Sequence, residues 1–169
     1  VFVHNALVGC GLRKHIRLIA SGKNTSGFDM IRMLALGADM VNSARAMMLA
    51  LGCIQSKQCG NNTCPVGVAT QNPRLYEQLD IDDKSERVFN YHTATVKNFT
   101  ELVGAMGLAN PSDIRPSSVM RRISDHEVRY FDEIYEFVEA NCLLTNDTVP
   151  KQFKRFWDAA ETDSFTFIH

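Results

Sequence analysis

The sequence contains no apolar run near the roughly 18 to 20 residues that a membrane span requires, so a spanning helix is excluded and a soluble protein is expected. It also lacks an excess of either charge. With 18 basic and 19 acidic residues the net charge is -1, and nothing electrostatic favours nucleic acid or an anionic membrane surface as a partner. Internal repeats and low-complexity tracts are missing, which argues against a solenoid or an extended linker. The even cysteine count of a disulfide framework is absent too. There are five cysteines, and three of them fall between positions 53 and 64, a spacing that suits metal binding in a reducing compartment such as the cytoplasm.

What is present is a chain of 169 residues, 45% of them apolar, enough for one ordinary core. It falls short of the roughly 200 to 250 residues of a complete α/β barrel. Val1 stands at the start and Phe2 to Val8 reads as the middle of a packed element, so the expectation is a piece of a longer polypeptide.

His15 to Ala20 is a short β-branched run ending at Ser21-Gly22-Lys23, and Phe28 to Leu36 has helical apolar spacing closed by Gly37. Ala38 to Asn42 reads as a second buried strand and Ala44 to Leu51 as a second helix, so 15–51 reads as β-α-β-α, the unit of parallel sheets and barrels. Gly52 to Pro73 is a structured loop around the cysteines. Ser85 to Leu102 is predicted as an amphipathic helix with Ser85 as N-cap and with Val88, Phe89, Val96, Phe99 and Leu102 on its apolar side. A further helix is expected from Pro116 and another over Val128 to Ala140. The aromatic tail from Thr145, with Phe153, Phe156, Trp157, Phe165 and Phe167, is equally consistent with docking and with mobility.

Cys53-x5-Cys59-x4-Cys64-Pro65 places three soft thiolate ligands on one irregular loop, which selects zinc, copper(I) or an iron-sulfur cluster over hard cations. Three ligands suit a three-iron, four-sulfide (3Fe-4S) cluster, and proline after a ligating cysteine is familiar from ferredoxin-type loops. Zinc remains an alternative, although the usual close cysteine pair is missing and the nearest histidine is His92. Buried free thiols are another, with Asn61, Asn62 and Thr63 as poor core neighbours. Cys10 and Cys142 read as plain core cysteines. Two further loops, Ser21-Gly22-Lys23 and Asn42-Ser43-Ala44-Arg45, could cradle a phosphate on glycine-permitted backbone, helix N-terminal amides and a guanidinium. Taken alone they are better explained as an ordinary turn and a helix cap, with Arg45 in a surface ion pair.

Together, the runs Ala20-Ser-Gly-Lys23, Leu36-Gly-Ala-Asp39, Ala50-Leu-Gly-Cys53 and Cys59-Gly-Asn-Asn-Thr-Cys64-Pro-Val-Gly-Val-Ala-Thr-Gln71 resemble the FMN-binding glutamate synthase family. The resemblance is close over 15–75, and the cysteine run with its Pro-Val-Gly-Val-Ala-Thr-Gln sequel is its most specific part. It implies the C-terminal portion of a TIM-type (β/α)8 barrel that holds FMN beside a 3Fe-4S cluster. Cys53, Cys59 and Cys64 would be the cluster ligands, and Gly22, Lys23, Ser43, Ala44 and Arg45 the phosphate site. The implied reaction is reduction of 2-iminoglutarate, formed from 2-oxoglutarate and ammonia or glutamine nitrogen, to glutamate. Electrons would come from a ferredoxin or a pyridine-nucleotide-oxidising subunit.

The chain departs from the large family members, which carry a Gly-Gly pair and a Phe-Gly-Thr turn at the two phosphate loops; here side chains would contribute more. No glutaminase nucleophile or 2-oxoglutarate pocket can be placed, and no catalytic residue is assigned. The expected organisation is a barrel end with its cluster loop at 1–75, a helical extension at 76–144 and a tail at 145–169. Alone, this piece is expected to expose sheet edges and to turn over no substrate. Two rivals are another FMN-dependent barrel oxidoreductase and a zinc-stabilised non-catalytic module.

Overall fold

The β-α-β-α reading of the first third is the pattern that the computed structural model displays. It describes residues 1–145 and 149–164. Strand β1 (Ile19–Ser21) leads through helix α2 (Gly27–Ala35) to strand β2 (Met40–Asn42), which pairs parallel to β1 with Ile19 opposite Met40 and Ser21 opposite Asn42. Helix α3 (Ala44–Ala50) follows at once. The first helix, α1 (Phe2–Gly9), precedes this unit in sequence. The predicted strand at 15–20 is thus trimmed to its last residues, because Arg13–His15 forms a 3-10 turn instead.

Two compact units divide the chain. One comprises 19–34 and 39–114. Its core contains Ile31, Ala46, Val103 and Ile114. After the cysteine loop, a short helix α4 (Pro73–Tyr76) is capped by Asn72, whose side chain accepts from the Arg74 amide at 3.1 Å. The 25-residue helix α5 (Ile81–Ala105) then begins four residues ahead of its predicted start. Asp80, not Ser85, is the N-cap, accepting from the Asp83 amide at 3.1 Å, and Ser85 donates to the Asp82 carbonyl within the helix. Asp82 and Asp83 in the first turn complement the helix dipole, which explains why a polar run starts the helix. The stripe that α5 turns inward is Val88, Tyr91, Thr95, Phe99 and Leu102, whereas Phe89 and Val96 lie exposed. Gly27 lets α2 and α5 meet closely, since a Cβ there would lie 2.6 Å from the Phe99 amide nitrogen.

The other unit comprises 1–18, 35–38 and 115–169. The helix expected from Pro116 is a single 3-10 turn, Pro116–Ser118, and an antiparallel hairpin follows: β3 (Met120–Ser124) and β4 (Glu127–Tyr130). The helix expected over 128–140 reduces to α6 (Phe131–Ile134). The cause is the alternation of Val128 and Tyr130, paired with Arg122 and Met120 across the Asp125-His126 turn, a β pattern that the helix-forming Glu and Arg residues mask. The tail docks within this unit. Helix α7 (Lys151–Asp158) buries Phe153, whose ring lies 4.8 Å from that of Phe2, and Phe156 meets the same ring edge-on at 5.7 Å. Phe165 and Phe167 lie outside the described residues.

The described residues are a mixed α/β structure with two two-stranded sheets and no closed barrel. Two parallel strands cannot close on themselves, and Ile19 and Met40, paired in register, are left about half exposed.

Candidate functional site

Parallel pairing brings the two predicted phosphate loops to the same end of β1 and β2. Gly22 (φ +123°) and Lys23 (φ +56°) turn the chain away from β1. Asn24, which sequence reasoning passed over, then stitches the loops together. It is buried, its side-chain amide donates to the Asn42 carbonyl at 3.1 Å, and its own carbonyl accepts the Ser43 hydroxyl at 2.7 Å. The signal was available, since a small amide side chain after Gly-Lys fits a loop that must bond backbone on its neighbour.

The Ser43 proton is therefore used within the protein, and Ser43 shapes the loop. Lys23, Ala44 and Arg45 are exposed, and the amides of Ala44 and Arg45 make no hydrogen bond among the described residues. The N-terminus of α2 is closed to anions: Asp29 takes the Thr25 and Ser26 amides at 3.0 and 3.2 Å and both hydroxyls, a reciprocal cap completed by Ser26. The Thr25 amide, foremost among these groups, holds the Asp29 carboxyl below the usual carboxylate range. Free donors and positive charge thus collect at the start of α3, between Lys23 and Arg45.

Downstream, the cysteine loop places Cys53 half-buried, Cys59 exposed at the head of the 3-10 turn Cys59–Asn61, and Cys64 buried. The backbone amide of Ala69, joined by those of Val66, Val68 and Gly67, hydrogen-bonds the Cys64 sulfur and holds it below the usual thiol range. Such a nest of amides stabilises a thiolate, the ligand form of cysteine. The Cys53 sulfur accepts from the Gln55 amide at 3.4 Å. The three sulfurs are on one loop but are not drawn into one coordination sphere, and among the described residues no three His, Cys, Asp or Glu side chains converge.

Among the described residues, four of the five non-glycine residues with left-handed backbone, Lys23, Gln55, Lys57 and Asn62, lie in these two loop regions, so local strain concentrates where the candidate chemistry is. Beside the cysteine loop, Leu51, Leu79, Ile81, Val88 and Phe89 line an apolar cleft of about 590 Å³ with His92 at its wall. Lys84 and Ser85 complete its lining, whose surface is mostly apolar.

The conserved region of glutamate synthases matches residues 1–109, the part that carries both loop systems. The chain belongs to the glutamate synthase family. This glutamate synthase family chain is 39% identical over 129 residues to the glutamate synthase large subunit-like protein YerD of Bacillus subtilis, covering 76% of the chain and 25% of that relative. It is also 39% identical over 105 residues to the archaeal glutamate synthase [NADPH] of Methanocaldococcus jannaschii, covering 62% of the chain and 21% of the relative. Against the glutamate synthase [NADPH] large chain of B. subtilis the identity is 36% over 104 residues, with 62% and 7% covered. The chain thus spans a quarter or less of the length of these relatives.

Proposed function

We propose that the chain forms the cofactor-holding end of a glutamate-synthase-type oxidoreductase, with the remaining barrel strands supplied by other parts of a longer polypeptide. The observation that carries the reading is the presence in one unit of an open cationic loop pair on parallel strand ends and a loop that carries Cys53, Cys59 and Cys64. When bound, FMN supplies hydride to 2-iminoglutarate, derived from 2-oxoglutarate and ammonia or glutamine nitrogen, and a 3Fe-4S cluster relays electrons from a ferredoxin or a pyridine-nucleotide-oxidising subunit.

The protein's own part is binding and placement. Lys23 and Arg45 neutralise the flavin phosphate, the Ala44 and Arg45 amides hydrogen-bond it, and Gly22 supplies the backbone turn that leaves the loop open. Asn24 and Ser43 fix the spacing of the two loops. The donor types suit both groups: a dianion would meet two cations and unpaired amides, and a cluster would meet three thiols on one loop, with the Cys64 sulfur held below the usual thiol range by backbone amides. Cys53, Cys59 and Cys64 hold the cluster. The NADPH in the names of two relatives makes a pyridine nucleotide the ultimate reductant to test first. No helix among the described residues is long and apolar enough to cross a membrane, and a cytoplasmic location follows from the reducing conditions that free thiols and a cluster require.

The test is anaerobic purification of the full protein followed by flavin, iron and zinc analysis and electron paramagnetic resonance. About one FMN and three irons per chain support the reading. Stoichiometric zinc in colourless protein overturns it in favour of a metal-held module. Flavin without iron, with activity surviving Cys59→Ser, overturns it in favour of a cluster-free barrel oxidoreductase.

A further inference from the structure

The cysteine loop is tied by hydrogen bonds of its own, and three of them meet at one residue. Asn62 lies three residues after Cys59 and two before Cys64, with left-handed backbone (φ 59°, ψ 24°) that reverses the chain between them. Its side-chain oxygen accepts from the Gln71 amide at 2.5 Å and from the Thr70 hydroxyl at 3.0 Å, and its main-chain carbonyl takes the same hydroxyl at 2.7 Å. Because the Gln71 amide can only donate, the oxygen of Asn62 must face it. Thr70 in turn accepts from the Asn72 amide at 3.1 Å, and Asn72 caps α4. A continuous line of hydrogen bonds therefore runs from a helix cap to the turn between two cysteines. It closes residues 62–71 into a ring, and within that ring the amides of residues 66–69 surround the Cys64 sulfur.

We propose that Asn62 is the positioning residue of the cysteine loop: it ties the turn that follows Cys59 to the arm that follows Cys64, and so fixes the backbone from which the two thiols would close on a cluster. The proposal rests on the cluster reading given above. Asparagine meets both demands of the position, since it tolerates left-handed backbone better than most residues and carries an acceptor short enough to reach the opposite arm. Glycine would meet the first demand alone, and aspartate would meet both.

The test compares wild type, Asn62→Gly and Asn62→Asp in the full protein. Hydrogen exchange at the Gln71 amide is measured before reconstitution. After anaerobic reconstitution with ferrous iron and sulfide, iron per chain, the rate of iron loss to a chelator and bound flavin are measured. Losing the clamp in Asn62→Gly is expected to speed Gln71 exchange and iron loss by about five- to tenfold, the effect of one net hydrogen bond. Flavin content should stay unchanged, and Asn62→Asp should restore both rates. Wild-type Gln71 exchange or wild-type iron retention in Asn62→Gly overturns the assignment of Asn62. If wild type itself takes up no iron, the cluster reading falls and the positioning role falls with it, an outcome distinct from iron that binds wild type and Asn62→Gly alike.

Discussion

Replacing glycines by alanine separates two reasons for glycine in the candidate loops. At Gly60 neither reason applies: the backbone is not left-handed and a Cβ would meet nothing within 4 Å. Alanine there should leave stability within about 0.5 kcal/mol or raise it slightly by restricting the unfolded chain. At Gly22 the φ of +123° is a conformation that side chains rarely adopt, although the space is open, so the cost is conformational alone, about 1–3 kcal/mol. Gly67 combines a φ of +76° with close packing. A Cβ would be driven into the Leu75 carbonyl oxygen and lie 3.0 Å from the Tyr76 Cα, both backbone atoms of α4 that cannot swing aside. Left-handed strain and overpacking together put Gly67→Ala at about 2–5 kcal/mol. Urea unfolding of the three variants under one set of conditions gives the order directly. Because Gly67 supplies one of the amides around the Cys64 sulfur, iron content should fall in the same variant. If Gly67→Ala unfolds at the same urea concentration as Gly60→Ala, the packing of α4 against the cysteine loop described here is wrong.

Asn24→Ala should cost about 1–3 kcal/mol by removing the stitch between the phosphate loops, and flavin retention during gel filtration should drop with it. Asp29→Ala should cost about 1 kcal/mol at neutral pH, as loss of a helix cap does. Since the native Asp29 carboxyl titrates below its unfolded value, its contribution is complete above about pH 4 and vanishes as the pH falls through the lowered native value. Urea midpoints of wild type and Asp29→Ala should therefore converge on acidification; a gap that does not narrow as the pH falls below the ordinary aspartate range would contradict the cap. Phe153→Ala should destabilise by about 3–5 kcal/mol, because the ring is 3% exposed and stacks near Phe2. Thermal melting checks this, and an unchanged melting temperature would mean that the tail does not dock as described.

The sequence was legible where local chemistry decides structure. Strand runs bounded by Ser21-Gly22 and by Asn42-Ser43, and helices with apolar spacing between them, gave the β-α-β-α order to within a few residues. The three cysteines could be assigned to one irregular loop from Gly, Asn and Pro content alone. Reading failed where two local preferences competed. Glu127, Arg129, Glu133 and Glu136 are good helix residues, yet Val128 and Tyr130 alternate, and the hairpin prevails with its strands paired antiparallel around the Asp125-His126 turn and a register shift at Ile123. The start of α5 was placed late because Asp80 to Asp83 looks like a loop until its carboxylates are seen as a cap and a first turn.

Composition, motif spacing and family likeness are properties of the chain in order, and they determined by themselves that this protein belongs with the glutamate synthases and which of its loops are the candidate phosphate and metal sites. Which atoms do the holding was decided only in three dimensions. Asn24 and Asn62 are unremarkable in a linear reading because their partners are backbone groups up to eighteen residues away, brought within 3.1 Å by strand pairing and by the return of the loop. A hydrogen bond depends on where donor and acceptor lie in space, and only the folded chain fixes that.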